Sequence, residues 1–168
     1  MDTELSAEVV AWCAEREPWY RGAGVVCQRT SGDNDTQSHR LAGVGRVARW
    51  GPSHVALARS SVAFGSGDVD AIMARMTDDC VFESTGPAPD GQRHEGQTAV
   101  RAVWERLFGD TKDPKFTDED TFVSGDRACV RWRFTWTGDD GSEGHVRGVD
   151  VIRFRDGLVS EKLSYVKG

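Results

Sequence analysis

A chain of 168 residues is long enough for one ordinary hydrophobic core and short for two, and its 38% hydrophobic and 29% charged residues give the balance of a globular domain. A net charge of -6 argues against a nucleic-acid partner, which needs a concentrated basic face. No apolar run approaches the roughly eighteen residues of a membrane helix, so no membrane partner is expected. The start, Met1-Asp2-Thr3-Glu4, is acidic and carries no secretory pattern, which makes a cytoplasmic location the expectation.

Residues 1–50 are poorly patterned. Ala7 to Glu17 has the composition of a short helix that Pro18 stops, and Gly22 to His39 is a polar, glycine-containing stretch without apolar period, read as a loose extension. Gly43-Val44-Gly45-Arg46-Val47-Ala48 has the form of a dinucleotide-binding turn, but no buried strand precedes it and no βαβ unit follows, so no cofactor is expected. The four cysteines, Cys13, Cys27, Cys80 and Cys129, are scattered and read as reduced thiols; no His/Cys spacing suits a metal, so none is expected.

From residue 53 to residue 168 the pattern sharpens. Ser53 is the expected N-cap of a first helix whose apolar stripe includes Val55, Ala58 and Val62 and which stops at Gly65-Ser66-Gly67. Asp68 caps a second helix ended by Thr77-Asp78-Asp79, and Cys80 to Ser84 reads as a short strand. Gly86 to Gly96 is expected as a loop. Val100, Val103, Trp104, Leu107 and Phe108 then recur at helical spacing and define a third helix with one apolar face.

After Pro114 the period becomes two. Phe116 to Ser124 is a strand, and Val130, Trp132, Phe134 and Trp136 alternate with polar residues on the next. His145 to Phe154 and Leu158 to Val166 follow, joined by Arg155-Asp156-Gly157. Reading that turn as three residues closed by a glycine bulge pairs Phe154 with Leu158, Ile152 with Ser160 and Asp150 with Lys162. Val149, Val151, Val159, Leu163 and Tyr165 then share the outer face. That much apolar surface predicts a homodimer through this face, or a cover supplied by the N-terminal extension.

The stretches Gly67-Asp68-Val69-Asp70-Ala71, Thr77-Asp78-Asp79-Cys80-Val81-Phe82-Glu83, Glu95-Gly96-Gln97-Thr98-Ala99-Val100-Arg101 and Gly148 to Gly157, in this order, resemble the SnoaL-like branch of the nuclear transport factor 2-like superfamily. The resemblance implies an α+β roll: a cone-shaped, strongly curved antiparallel sheet wrapped around three helices, with a cavity open at its wide end. It also implies a site position for Asp150, which matches the strand position of the protonated, oxyanion-binding Asp of ketosteroid isomerases. The matching positions of that enzyme's base and tyrosine hold Ser84 and Ser60 here, which argues against steroid isomerisation of that kind. The epoxide-hydrolase pattern lacks an acid at Ser164.

Asp150 interrupts an apolar strand on the face expected to line the cavity, where a carboxyl group is able to act as acid, base or hydrogen-bond donor. The competing reading has Lys162 neutralising it in a structural role. Trp104, Trp132 and Phe82 are expected as pocket walls or plain core, with Ser84 beside them, and the two indole N–H groups can reach a buried carboxylate or ligand oxygen. His94 is expected in the loop at the cavity mouth, as an acid or base there or as an exposed loop residue. The expected ligand is a small apolar molecule, polyketide-, terpenoid- or steroid-like, either isomerised, cyclised or hydrated with Asp150 as the main ionisable group, or bound without chemistry.

Overall fold

A computed structural model of the chain describes residues 51–167 and, ahead of them, residues 7–9, 11, 12 and 15, which are helical; Val9 and Trp12 among these are buried. The readings made for residues 16–50, the glycine motif included, lie outside the described residues. The elements are α1 (Pro52–Ser66), α2 (Val69–Met73), β1 (Met76–Glu83), β2 (Arg93–Glu95), α3 (Gly96–Asp110), β3 (Lys115–Ser124), β4 (Arg127–Thr137), β5 (Glu143–Arg155) and β6 (Leu158–Val166). The strands make one sheet in the order β2-β1-β6-β5-β4-β3. This is the expected α+β roll, with one departure: every neighbouring pair is antiparallel except β1 and β6, which run parallel. Among the described residues no helix is long and apolar enough to cross a membrane.

Bulges in the β1–β6, β3–β4 and β5–β6 pairs bend the sheet, because an extra residue on one strand adds local twist. Helix α1 packs on β3, β4 and β6, α3 on β1 and β2, and α2 bridges the two helices. The seam between the helices and the sheet is aromatic: Phe64 of α1 meets Trp104 of α3 edge-on at 4.9 Å, and Trp104 lies 4.3 Å from the Phe82 ring of β1.

Local chemistry explains the motif stretches. Asp68 caps α2 as expected, its Oδ1 accepting from Ala71 N–H at 3.1 Å. Gln97, in the first turn of α3, donates to the carbonyls of Met73, Met76 and Thr77 at 3.2, 3.0 and 3.3 Å, and Arg101 reaches Asp70 at 2.7 Å. These bonds fasten the start of the long helix to the turn between α2 and β1.

Several boundaries differ from the sequence reading. Gly51, not Ser53, caps α1, with Pro52 in the first turn; Ser53 Oγ instead donates to Gly125 O at 2.7 Å. Thr77-Asp78-Asp79 does not end a helix but lies within β1, since α2 is barely one turn long. Within the expected loop Gly86–Gly96, residues Arg93–Glu95 pair with the edge of β1 as a short strand.

The β5–β6 hairpin is also tighter than expected. Only Asp156 and Gly157 turn the chain, with φ of 54° and 76°, the doubly left-handed backbone of a two-residue hairpin. Arg155 opposes Leu158 and Phe154 opposes Val159; a bulge at Ser160 then shifts the register, so Ile152 opposes Lys162 and Asp150 opposes Ser164. Relative to the expected pairing the body of the hairpin is displaced by two residues, which preserves every face. Between turn and bulge the displacement is one residue, and Val159 therefore turns inward, 2% exposed, rather than lying on the outer face.

Candidate functional site

Between α1, α3 and the inner face of the sheet lies a cavity of about 620 Å³. Leu57, Ser60 and Phe64 line it from α1, Val103, Trp104 and Leu107 from α3, and Phe82 and Ser84 from the end of β1. The sheet contributes Phe116, the β4 row Val130-Trp132-Phe134-Trp136, and Asp150, Ile152, Lys162 and Ser164. Six of the seven sequence-picked side chains thus converge on one hollow: Asp150, Lys162, Trp104, Trp132, Phe82 and Ser84. His94 does not. It sits on β2 directly opposite Phe82, its ring stacked 6.1 Å from that phenyl group and outside the set of lining residues, because the segment expected as a mouth loop is paired strand.

Two glycines make room for the tryptophans of the wall. Trp132 pairs with Gly148 and Trp136 with Gly144 across β4 and β5. A Cβ at 148 would stand 2.3 Å from Trp132 Cζ2 and 2.4 Å from Tyr165 O, and one at 144 would stand 2.4 Å from Trp136 Cε2. Each indole therefore lies over bare backbone, a packing that only glycine permits. Phe116 joins the layer 5.8 Å from Trp132 and 4.5 Å from Phe134.

Asp110, Lys112, Asp118 and Asp139 also line the hollow, but its buried ion pair is that of Asp150 and Lys162. Asp150 and Lys162 have side chains 10% and 8% exposed and are joined by an ion pair through Asp150 Oδ2. Lys162 reaches its partner diagonally across the hairpin from beside Ile152, a span that a long side chain covers. Ser164 Oγ donates to Asp150 Oδ1 at 2.6 Å, and Lys162 Nζ donates to Ser164 Oγ at 3.2 Å, which closes a three-membered ring of polar contacts. The Nζ also lies 5.3, 5.6 and 5.9 Å from the ring centroids of Phe64, Phe82 and Trp104, an aromatic collar that favours the cation.

Other polar groups are quieter. Ser84 Oγ is turned to the backbone, donating to Gly86 O at 2.7 Å. Trp104 Nε1 and Trp132 Nε1 are buried without an acceptor. Burial pushes the Cys80 and Cys129 thiols up, with the nearby Asp150 charge adding at Cys129, so neither is poised as a nucleophile. No group of three His, Cys, Asp or Glu among the described residues is arranged to hold a metal. Sequence reasoning missed Ser164 as a partner of the acid, and missed Phe64, Phe116 and Phe134 as walls; Ser164 and Phe134 stand two residues from Lys162 and Trp132 on their strands, and that shared parity was the available signal for those two.

A cone of curved sheet closed by helices over a single interior hollow is the architecture of nuclear transport factor 2-like proteins. The model of the SnoaL-like domain family matches residues 57–162, and the chain belongs to that family. A nuclear transport factor 2-like protein of unknown function from Mesorhizobium loti is 38% identical, the match covering 70% of this chain and 92% of that one, with a TM-score of 0.60. A protein from Xanthomonas campestris pv. campestris provisionally named a polyketide cyclase is 20% identical over 69% of this chain and 90% of its own, with a TM-score of 0.59. TerC, co-crystallised with polyporic acid, is 18% identical over 70% and 92%, with a TM-score of 0.60; the last two share the fold alone. No curated protein matches the sequence significantly.

Proposed function

We propose that this chain binds a small, largely apolar, oxygenated molecule of polyketide-, terpenoid- or steroid-like character in the aromatic cavity, held at one end by the Asp150–Lys162–Ser164 cluster. One observation carries the reading: a buried ion pair stands in the wall of a hollow of about 620 Å³ whose other surfaces are mainly aromatic and aliphatic. Binding sites for small molecules combine apolar walls with a few placed polar groups in this way. The polyketide-cyclase name of one structural neighbour and the polyporic acid bound by another are in keeping with it.

Catalysis, as isomerisation, cyclisation or hydration, would be proton transfer at the same cluster, with Asp150 as acid, base or hydrogen-bond donor and Lys162 balancing its charge. Non-catalytic binding is the second reading, favoured by the fact that both oxygens of Asp150 already have protein partners. A thermal-shift and native mass-spectrometry screen of polyketide, terpenoid and steroid-like compounds tests the proposal. Hits that stabilise the chain, and whose turnover stops in Asp150→Asn, support the enzyme; hits bound equally by both proteins without turnover support the binder. A screen with no hit overturns both.

We also propose a homodimer through the convex face. There Phe122, Cys129, Val151 and Leu163 form one row across four strands, flanked by Val149 and Tyr165, with Phe122 63% and Tyr165 52% exposed.

A further inference from the structure

We propose that Lys162 selects the ligand of this cavity, favouring a neutral molecule that presents a carbonyl oxygen over the matching carboxylate or hydrocarbon. The proposal rests on the pocket reading above and follows from an inventory of donors and acceptors.

A lysine ammonium offers three N–H donors and no acceptor. One is spent on Asp150 and one on Ser164, and the third has no oxygen or nitrogen partner among the described residues. Both oxygens of Asp150 already hold a donor, and Ser164 Oγ both gives and receives a hydrogen bond. The rings of Trp104 and Trp132 line the same hollow, but their N–H groups are themselves buried, so the donor open to a ligand is that of Lys162. Asp118, opposite Trp132, also lines the hollow, but no hydrogen bond joins it to Lys162, so one ammonium donor is left over at this end and a ligand oxygen supplies its acceptor.

The charge balance narrows the class. Lys162 and Asp150 cancel, so a ligand carboxylate would be desolvated beside a buried anion with one cation shared between the two. A hydrocarbon of the same shape would fill the space and leave the Lys162 donor unpaired. A ketone or quinone oxygen meets neither penalty.

Equilibrium dialysis of the full chain against 2-acetylnaphthalene, 2-naphthoate and 2-ethylnaphthalene tests this. The ketone is expected to bind about tenfold or more tightly than either of the others, the discrimination that a hydrogen bond from a charged donor supplies. In the double variant Lys162→Met with Asp150→Leu, which leaves no buried charge alone, the ketone and the hydrocarbon are expected to bind alike. A wild-type preference for naphthoate overturns the proposal. So does equal binding of ketone and hydrocarbon, or a ketone preference that survives in the double variant. Equal binding of all three leaves the pocket reading standing and removes Lys162 as its selector; binding of none removes both.

Discussion

Trp132 lies over Gly148, so close that a methyl group added there would meet the indole at 2.3 Å and the Tyr165 carbonyl at 2.4 Å. The second contact is backbone and cannot swing aside. Gly148→Ala is therefore expected to destabilise the fold by about 1–3 kcal/mol, the range for forcing extra volume into a packed site, and to tilt the Trp132 ring into the cavity. At Gly144 the three nearest atoms all belong to the half-buried Trp136 side chain, so Gly144→Ala should cost less. Urea unfolding of the two variants, side by side, checks the order; a Gly148→Ala protein as stable as wild type would refute the packing account.

The Asp150–Lys162 pair should behave as a unit. Removing one member leaves the other buried and uncompensated, which costs about 3–5 kcal/mol, whereas replacing both with apolar side chains of similar volume is tolerated far better. A double-mutant cycle of Asp150→Leu and Lys162→Met is expected to show strong coupling, the double variant being more stable than either single one. Additive losses would mean that the two side chains do not depend on each other in solution.

How much of this was legible in the sequence depended on what sets each feature. The inward row of β4 was legible because strict alternation admits only one buried face, and the third helix because its apolar residues recur at helical spacing. The cavity-facing position of Asp150 survived an incorrect hairpin register since the actual pairing is displaced by two residues, which leaves parity unchanged. Val159 did not survive, because the chain turns on Asp156-Gly157 alone rather than on three residues, and the bulge at Ser160 restores parity only beyond it. His94 was misplaced for a related reason: Arg93–Glu95 is strand only through pairing with Val81–Glu83, a tertiary contact that overrides local composition. Ser164 became part of the site only when the register put it opposite Asp150.

His54, in the first turn of α1, is 7% exposed, and burial holds its imidazole below the ordinary value of 6.5. The unfolded chain therefore takes up this proton before the folded one does. Its contribution to stability is present above about pH 6.5 and is lost as the pH falls from there through the lowered folded value. Urea unfolding between pH 7.5 and about pH 5 should show this decline. His54→Gln, which carries no titrating group, should flatten that part of the profile; an unchanged slope would assign the decline to other groups.

The convex face makes a prediction about assembly. Phe122, Cys129, Val151 and Leu163 are consecutive neighbours across β3, β4, β5 and β6, so a charge in the middle of the row meets its counterpart's apolar surface in any dimer built on it. Val151 is only partly buried and points away from the cavity, opposite in parity to Asp150. Val151→Arg is thus expected to convert a dimer to a monomer in sedimentation equilibrium while leaving ligand binding intact. A wild-type chain that is monomeric at micromolar concentration would overturn the dimer. Removal of residues 1–50 then separates the remaining explanation, since a face covered by that segment should become sticky, and the truncated chain should self-associate, once the segment is gone.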